Sequence, residues 1–178
     1  MRLVFMGTPD FAVPTLERLA TSDHEIVSVV TRPDAQKGRG RRVSSPEVKT
    51  AAESLGLPVL QPESLKSKSF QDELRALEPD LFVVVAFLIL PKSLLEVPRH
   101  GSINLHPSLL PKYRGAAPIQ WAVIKGERQT GISTFLLKPK VDAGDILIQK
   151  SVEIGSDETA GTLYERLKVE GAEVVAET

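Results

Sequence analysis

Short, continuously apolar runs alternate along the chain with longer segments in which apolar positions recur every three to four residues. Residues 3–6 (Leu-Val-Phe-Met) are of the first kind and read as a strand, with residues 7–10 (Gly-Thr-Pro-Asp) as the turn that follows. Phe11, Leu16, Leu19 and Ala20 then fall near the 3.6-residue period of a helix, and Pro14 is tolerated only in its first turn. A second strand is expected over 25–31 and a long polar loop over 32–45. A helix should follow to about residue 55, with Ser45 as N-cap and Pro46 in its first position. The pattern continues with a short strand over 57–60 and a helix over 67–77. Residues 81–86 are apolar without interruption, as in a strand buried on both faces. Further strands are expected over 101–106, 131–137 and 146–152, with one helix over 116–125 and another from Thr159 onward.

Strand and helix in alternation imply βαβ units, hence an α/β fold: a Rossmann-like, doubly wound, mainly parallel sheet. At 178 residues a single domain spanning 1–178 is the expectation, able to bury roughly 70% of its unfolded surface. No C-cap glycine, proline or loop follows the last helical stretch, so the chain reads as cut inside that element. The longest apolar run, 81–90, is half of what a membrane span needs. The N-terminus carries no cleavage pattern, so a cytoplasmic location and no membrane partner are expected. With no cysteine, disulfides, thiolate metal sites and a thiol nucleophile are all excluded. A formal charge of −1 gives no bulk attraction to nucleic acid and leaves only local patches to consider.

One such patch exists. Lys37, Arg39, Arg41 and Arg42 lie within six residues, interleaved with Gly38 and Gly40, which suits either a solvated loop or a phosphate-rich partner. Of the three histidines, His24 and His100 sit in polar connections. His106 instead ends an apolar strand two residues after Asn104, so amide and imidazole share one face at a strand's carboxyl end, where open α/β sheets collect ligands. Two satisfied polar groups closing a sheet edge would show the same spacing. Asp142, in the acidic turn 140–145, supplies the third member of a set suited to acyl transfer. An amide and an imidazolium can donate to an oxyanion, and a carboxylate can orient the imidazole. Gly144 in that turn permits backbone conformations that other residues resist. Ser108 as a hydrolytic nucleophile is disfavoured, because no G-x-S-x-G elbow surrounds it. Three scattered histidines without cysteine make no metal site. The turn at residues 7–10 matches neither a dinucleotide fingerprint nor a Walker A loop.

The stretch Asn104-Leu-His106-Pro-Ser108-Leu-Leu-Pro111, followed by Val141-Asp142-Ala-Gly144-Asp145, resembles the 10-formyltetrahydrofolate-dependent formyltransferases, and the resemblance extends over essentially the whole chain. It implies Asn104, His106 and Asp142 as the catalytic trio, 10-formyltetrahydrofolate as co-substrate without a metal, and Ser108, Leu109, Leu110 and Pro111 as folate-bordering residues. Residues 7–12, the basic loop and residues 113–120 are similar to the members that act on initiator methionyl-tRNA. The resemblance therefore implies that tRNA as partner, bound through Lys37, Arg39, Arg41 and Arg42, and a monomer. Acceptors used by other members, glycinamide ribonucleotide or an amino-sugar nucleotide, are the alternative, as is a binding module without turnover. Two departures stand out: the stretch 86–91, which the resemblance places at the pterin, is a residue shorter than usual and lacks a glycine, and the family's smaller C-terminal β-barrel domain is expected to be missing from these residues.

Overall fold

The computed structural model describes residues 1–37 and 42–178. In chain order the strands are β1 (Arg2–Gly7), β2 (Glu25–Val30), β3 (Ala35–Lys37), β4 (Arg42–Ser44), β5 (Val59–Leu60), β6 (Leu81–Val85), β7 (Ser102–His106), β8 (Gln129–Leu136) and β9 (Ile146–Glu153). The helices are α1 (Val13–Ala20), α2 (Glu47–Ser54), α3 (Lys68–Ala76), α4 (Lys92–Leu95), α5 (Pro118–Ile124) and α6 (Ala160–Glu177). A 3₁₀ turn, Asp10–Ala12, leads into α1.

Seven strands form one sheet in the order β5-β2-β1-β6-β7-β8-β9. The five from β5 to β7 are parallel, and β8 and β9 are antiparallel to their neighbours. Apolar runs such as Val4, Phe5 and Met6 in β1 are buried on both faces because alternate side chains enter separate cores. One core takes Phe5, Leu16, Ile103, Leu105, Leu163 and Leu167. The other takes Met6, Leu74, Phe82, Val84 and Leu94 from the opposite face. The chain order reverses between β1 and β6, which opens a crevice at their carboxyl ends, the usual ligand position in such sheets.

Most expected elements form within a residue or two of their predicted ends. Pro14 sits in the first turn of α1, where its missing N–H costs nothing. Thr159 caps α6 through a reciprocal capping box: its side chain accepts from Thr162 N–H at 3.2 Å while its own N–H donates to Thr162 Oγ1 at 3.0 Å. The helix after Ser45 differs. Pro46 is its N-cap, with an extended ψ of 142°, so the helix starts at Glu47. Within the stretch expected as a polar loop, β3 pairs antiparallel with β4, Lys37 opposite Arg42. Strands of three residues are too short to show a period among charged positions.

Candidate active site

β7 delivers two of the expected groups together. Asn104 is in register with Val84 of β6, and His106 follows on the same face at the end of the strand. The 137–145 connection then brings Asp142 alongside. His106 Nδ1 lies 3.7 Å from Asp142 Oδ2, with the two residues only 6% and 9% exposed. That separation exceeds a direct hydrogen bond. His106 Nε2 is 2.8 Å from the Tyr113 carbonyl oxygen. A carbonyl only accepts, so Nε2 carries the proton and Nδ1 is the nitrogen at which this ring gains or loses one. Asp142 Oδ2 accepts from Gly115 N–H at 2.7 Å. The Asn104 Oδ1 is buried without a hydrogen-bond partner, an open polar position beside the pair.

Around these three lies a cleft of about 520 Å³, within the usual range for small-molecule sites. Phe11, Ile119 and Tyr164 form one wall, and Val84, Phe87, Leu90, Leu95 and Leu137 form the other. Asp142 itself is the left-handed residue of its turn, with φ 44°. The expectation that Gly144 supplies that freedom is therefore corrected. Gly144 is needed for close approach, because a Cβ there would collide with the Leu136 carbonyl.

The sequence profile of the formyl transferase family matches residues 1–178. Methionyl-tRNA formyltransferase of Geobacter metallireducens is 52% identical over the whole of this chain, and that of Geobacter sulfurreducens is 50% identical. This chain belongs to the formyl transferase family. It spans 58% and 56% of the length of those two relatives. Among solved structures, a glycinamide ribonucleotide transformylase from Symbiobacterium toebii superposes with a TM-score of 0.83 at 18% identity, covering 99% of this chain and 84% of that one. A phosphoribosylglycinamide formyltransferase from Streptococcus pneumoniae gives 0.80 at 19%, covering 99% and 95%. At such identities the likeness concerns the fold alone.

The cleft includes some of the expected site residues and omits others. Asn104, His106 and Asp142 all line it, whereas Ser108, Leu109, Leu110 and Pro111 do not. Ser108 is fully buried and donates to the Lys112 carbonyl at 2.6 Å, and Leu110 N–H donates to Ser133 Oγ at 3.1 Å. These residues brace the segment after His106 against β8. His24 and His100 lie outside the cleft. Of the basic loop, Lys37 and Arg42 fall in β3 and β4, and Arg39 and Arg41 lie outside the described residues. No cluster of potential metal ligands occurs among the described residues, and no helix there is long and apolar enough to cross a membrane.

Sequence reasoning missed Phe11, Tyr164 and the 113–117 turn. Tyr164 sits on α6, remote in sequence from Phe11 and Asp10, and its hydroxyl donates to Asp10 Oδ1 at 2.6 Å. Burial, and then this hydrogen bond, push the phenol well above its ordinary range. Desolvation raises the Asp10 carboxyl, but the Tyr164 and Lys168 hydrogen bonds together outweigh it and leave that group below its ordinary value. The Tyr113-Arg-Gly-Ala-Ala117 signal was visible only as a resemblance. Its structural content is three positive φ angles, 54° at Tyr113, 86° at Gly115 and 57° at Ala117.

Proposed function

We propose that this domain transfers a formyl group from 10-formyltetrahydrofolate to the α-amino group of methionine esterified to initiator tRNA. The observation that carries the reading is the convergence of Asn104, His106 and Asp142 on one apolar cleft. It is supported by half-identity to methionyl-tRNA formyltransferases along the whole chain. The residues present fit a flat, mostly apolar donor with a polar reactive end. The wall of Phe87, Leu90 and Leu137 offers apolar surface, and the unpartnered Asn104 stands at the polar seam. The acceptor's aminoacyl end would enter from the Phe11 and Tyr164 side.

The neutral amine attacks the formyl carbon, a C–N bond forms, and the bond from that carbon to the donor nitrogen breaks. Asn104 donates its amide hydrogen to the oxyanion that develops, and protonated His106 adds a second positive contact through Nδ1–H. Asp142, its carboxylate fixed by Gly115 N–H, accepts the proton that the amine loses, through water. The proton needed by the departing donor nitrogen comes from His106.

The deciding experiment gives the protein one formyl donor and, separately, methionyl-tRNA, glycinamide ribonucleotide and an amino-sugar nucleotide, and follows formylated product. Methionyl-tRNA should be the preferred acceptor. A preference for either small amine sinks the assignment of the acceptor, and donor binding without product from any of the three sinks catalysis itself.

A further inference from the structure

The segment that follows β7 does something unusual with its backbone. Between His106 and α5 the chain turns through three left-handed residues, and two of its backbone groups are spent on the site. The Tyr113 carbonyl holds His106 Nε2 at 2.8 Å, and Gly115 N–H holds Asp142 Oδ2 at 2.7 Å. One turn therefore sets the orientation of both an imidazole and a carboxylate that come from different connections. A Cβ on Gly115 would meet nothing within 4 Å, so this glycine is needed for its backbone conformation and not for space.

Such a turn needs an anchor, and it has one outside the cleft. Glu127, in the connection between α5 and β8, accepts from the Tyr113 hydroxyl at 2.6 Å and from Lys112 Nζ at 3.0 Å through the same oxygen, Oε1. Glu127 is itself fixed at the end of α5, where its N–H donates to the Ala122 carbonyl at 3.0 Å. Hydrogen bonds from Tyr113 and then Lys112 hold its carboxyl below the ordinary glutamate range, so it stays ionised through neutral pH.

We infer that Glu127, which does not line the cleft, is a positioning residue for the formyl-transfer site, acting through Lys112 and Tyr113 on the turn that orients His106 and Asp142. The inference rests on the reading of that trio as the reacting set. An ordinary exposed ion pair would leave the imidazole untouched when removed, and this one is tied to it through a single residue, Tyr113.

The test uses Glu127→Ala and Glu127→Gln with two readouts. Imidazole ¹⁵N shifts of selectively labelled histidine report which nitrogen of His106 carries the proton, whatever the enzyme's acceptor proves to be. In the parent, His106 should be a single Nε2–H tautomer when neutral. Glu127→Ala should give a mixed or exchange-broadened signal, and kcat should fall roughly ten- to 100-fold, the scale set by ångström misplacement of a reacting group. Donor affinity should be unchanged. Glu127→Gln keeps an acceptor for the Tyr113 hydroxyl and should restore the single tautomer and most of kcat. Unchanged His106 signals in Glu127→Ala overturn the inference, whether or not kcat falls. A parent protein that formylates none of the three acceptors overturns the functional reading alone, because the ¹⁵N comparison still reports on the turn.

Discussion

Tyr164 and Asp10, 154 residues apart, meet in a 2.6 Å hydrogen bond that ties α6 to the turn after β1. Lys168 Nζ reaches the other carboxylate oxygen at 3.2 Å, and the Tyr164 ring packs on Phe11 with centroids 5.1 Å apart. Because the Asp10 carboxyl lies below its ordinary value in the folded chain, its contribution to stability is fully present above the unfolded pKa and is lost as pH falls through the lowered folded one. Half of the Asp10 side chain is exposed, so the contribution is discounted for solvent screening. Tyr164→Phe should lower the unfolding free energy by about 1 kcal/mol at neutral pH, and the deficit should narrow in acid, as pH falls through the lowered pKa of the folded Asp10. Urea titrations of both proteins at neutral and acid pH check this. A deficit that stays constant would mean that the Asp10 charge contributes nothing.

Removing one oxyanion donor typically slows acyl transfer ~100–1,000-fold, and Asn104→Ala and His106→Ala should each fall in that range with donor binding retained. Asp142→Asn separates two roles of the carboxylate. Its side-chain oxygen can still accept from Gly115 N–H, so orientation survives while the charge beside His106 Nδ1 is gone. Single-turnover rates on Asp142→Asn and Asp142→Ala should therefore both be depressed, with Asp142→Ala the slower. Equal rates would assign the whole effect to charge.

Gly144→Ala should destabilise the domain by roughly 1–3 kcal/mol, the range for forced overpacking. Its Cβ meets a backbone carbonyl that belongs to β8 and cannot swing aside. Relief can come only by displacing the turn that carries Asp142, so turnover should fall as well. Gly115→Ala meets no neighbour and should cost only ~1–2 kcal/mol for a left-handed alanine. Denaturant midpoints of the two variants give the comparison, and a smaller loss at Gly144 would contradict the packing.

Replacing Lys37, Arg39, Arg41 and Arg42 together by Gln should raise KM for methionyl-tRNA and reduce the slope of log affinity against log salt by roughly 3, as expected when four phosphate contacts are lost. Donor affinity should hold, since β3 and β4 form a two-stranded sheet apart from the seven-stranded sheet that carries Asn104 and His106. Fluorescence titrations at two salt concentrations measure both. An unchanged slope would remove this segment from the acceptor surface.

Periodicity alone located most strands and longer helices, because a chain that feeds two cores must write one apolar pattern for buried strands and another for amphipathic helices. It passed over β3, β4 and α4, each too short to complete a period. The pairing of Asn104 with His106 was legible for a similar reason: two residues on one strand necessarily share a face. Asp142 was legible as a carboxylate suited to that set but its place was not, since nothing in the spacing of residues 106 and 142 says that the 137–145 connection returns to His106. Tyr164, Phe11 and Glu127 could not have been found from the chain alone. Their roles arise from contacts between segments whose proximity the sheet order creates.

The sheet divides the interior in two, and the cleft borrows a wall from each half. Phe11, Ile119 and Tyr164 are extensions of one core, and Phe87, Leu90, Leu95 and Leu137 are extensions of the other. A change in one wall is then absorbed by packing that the opposite wall does not share, and the free-energy effects of substitutions on the two sides should be close to additive. β7 stands between the walls, packing Ile103 and Leu105 into the first core and presenting Asn104 and His106 to the cleft. The two ligands of a transfer reaction can in this way be accommodated by independent adjustments on either side of an unchanged strand.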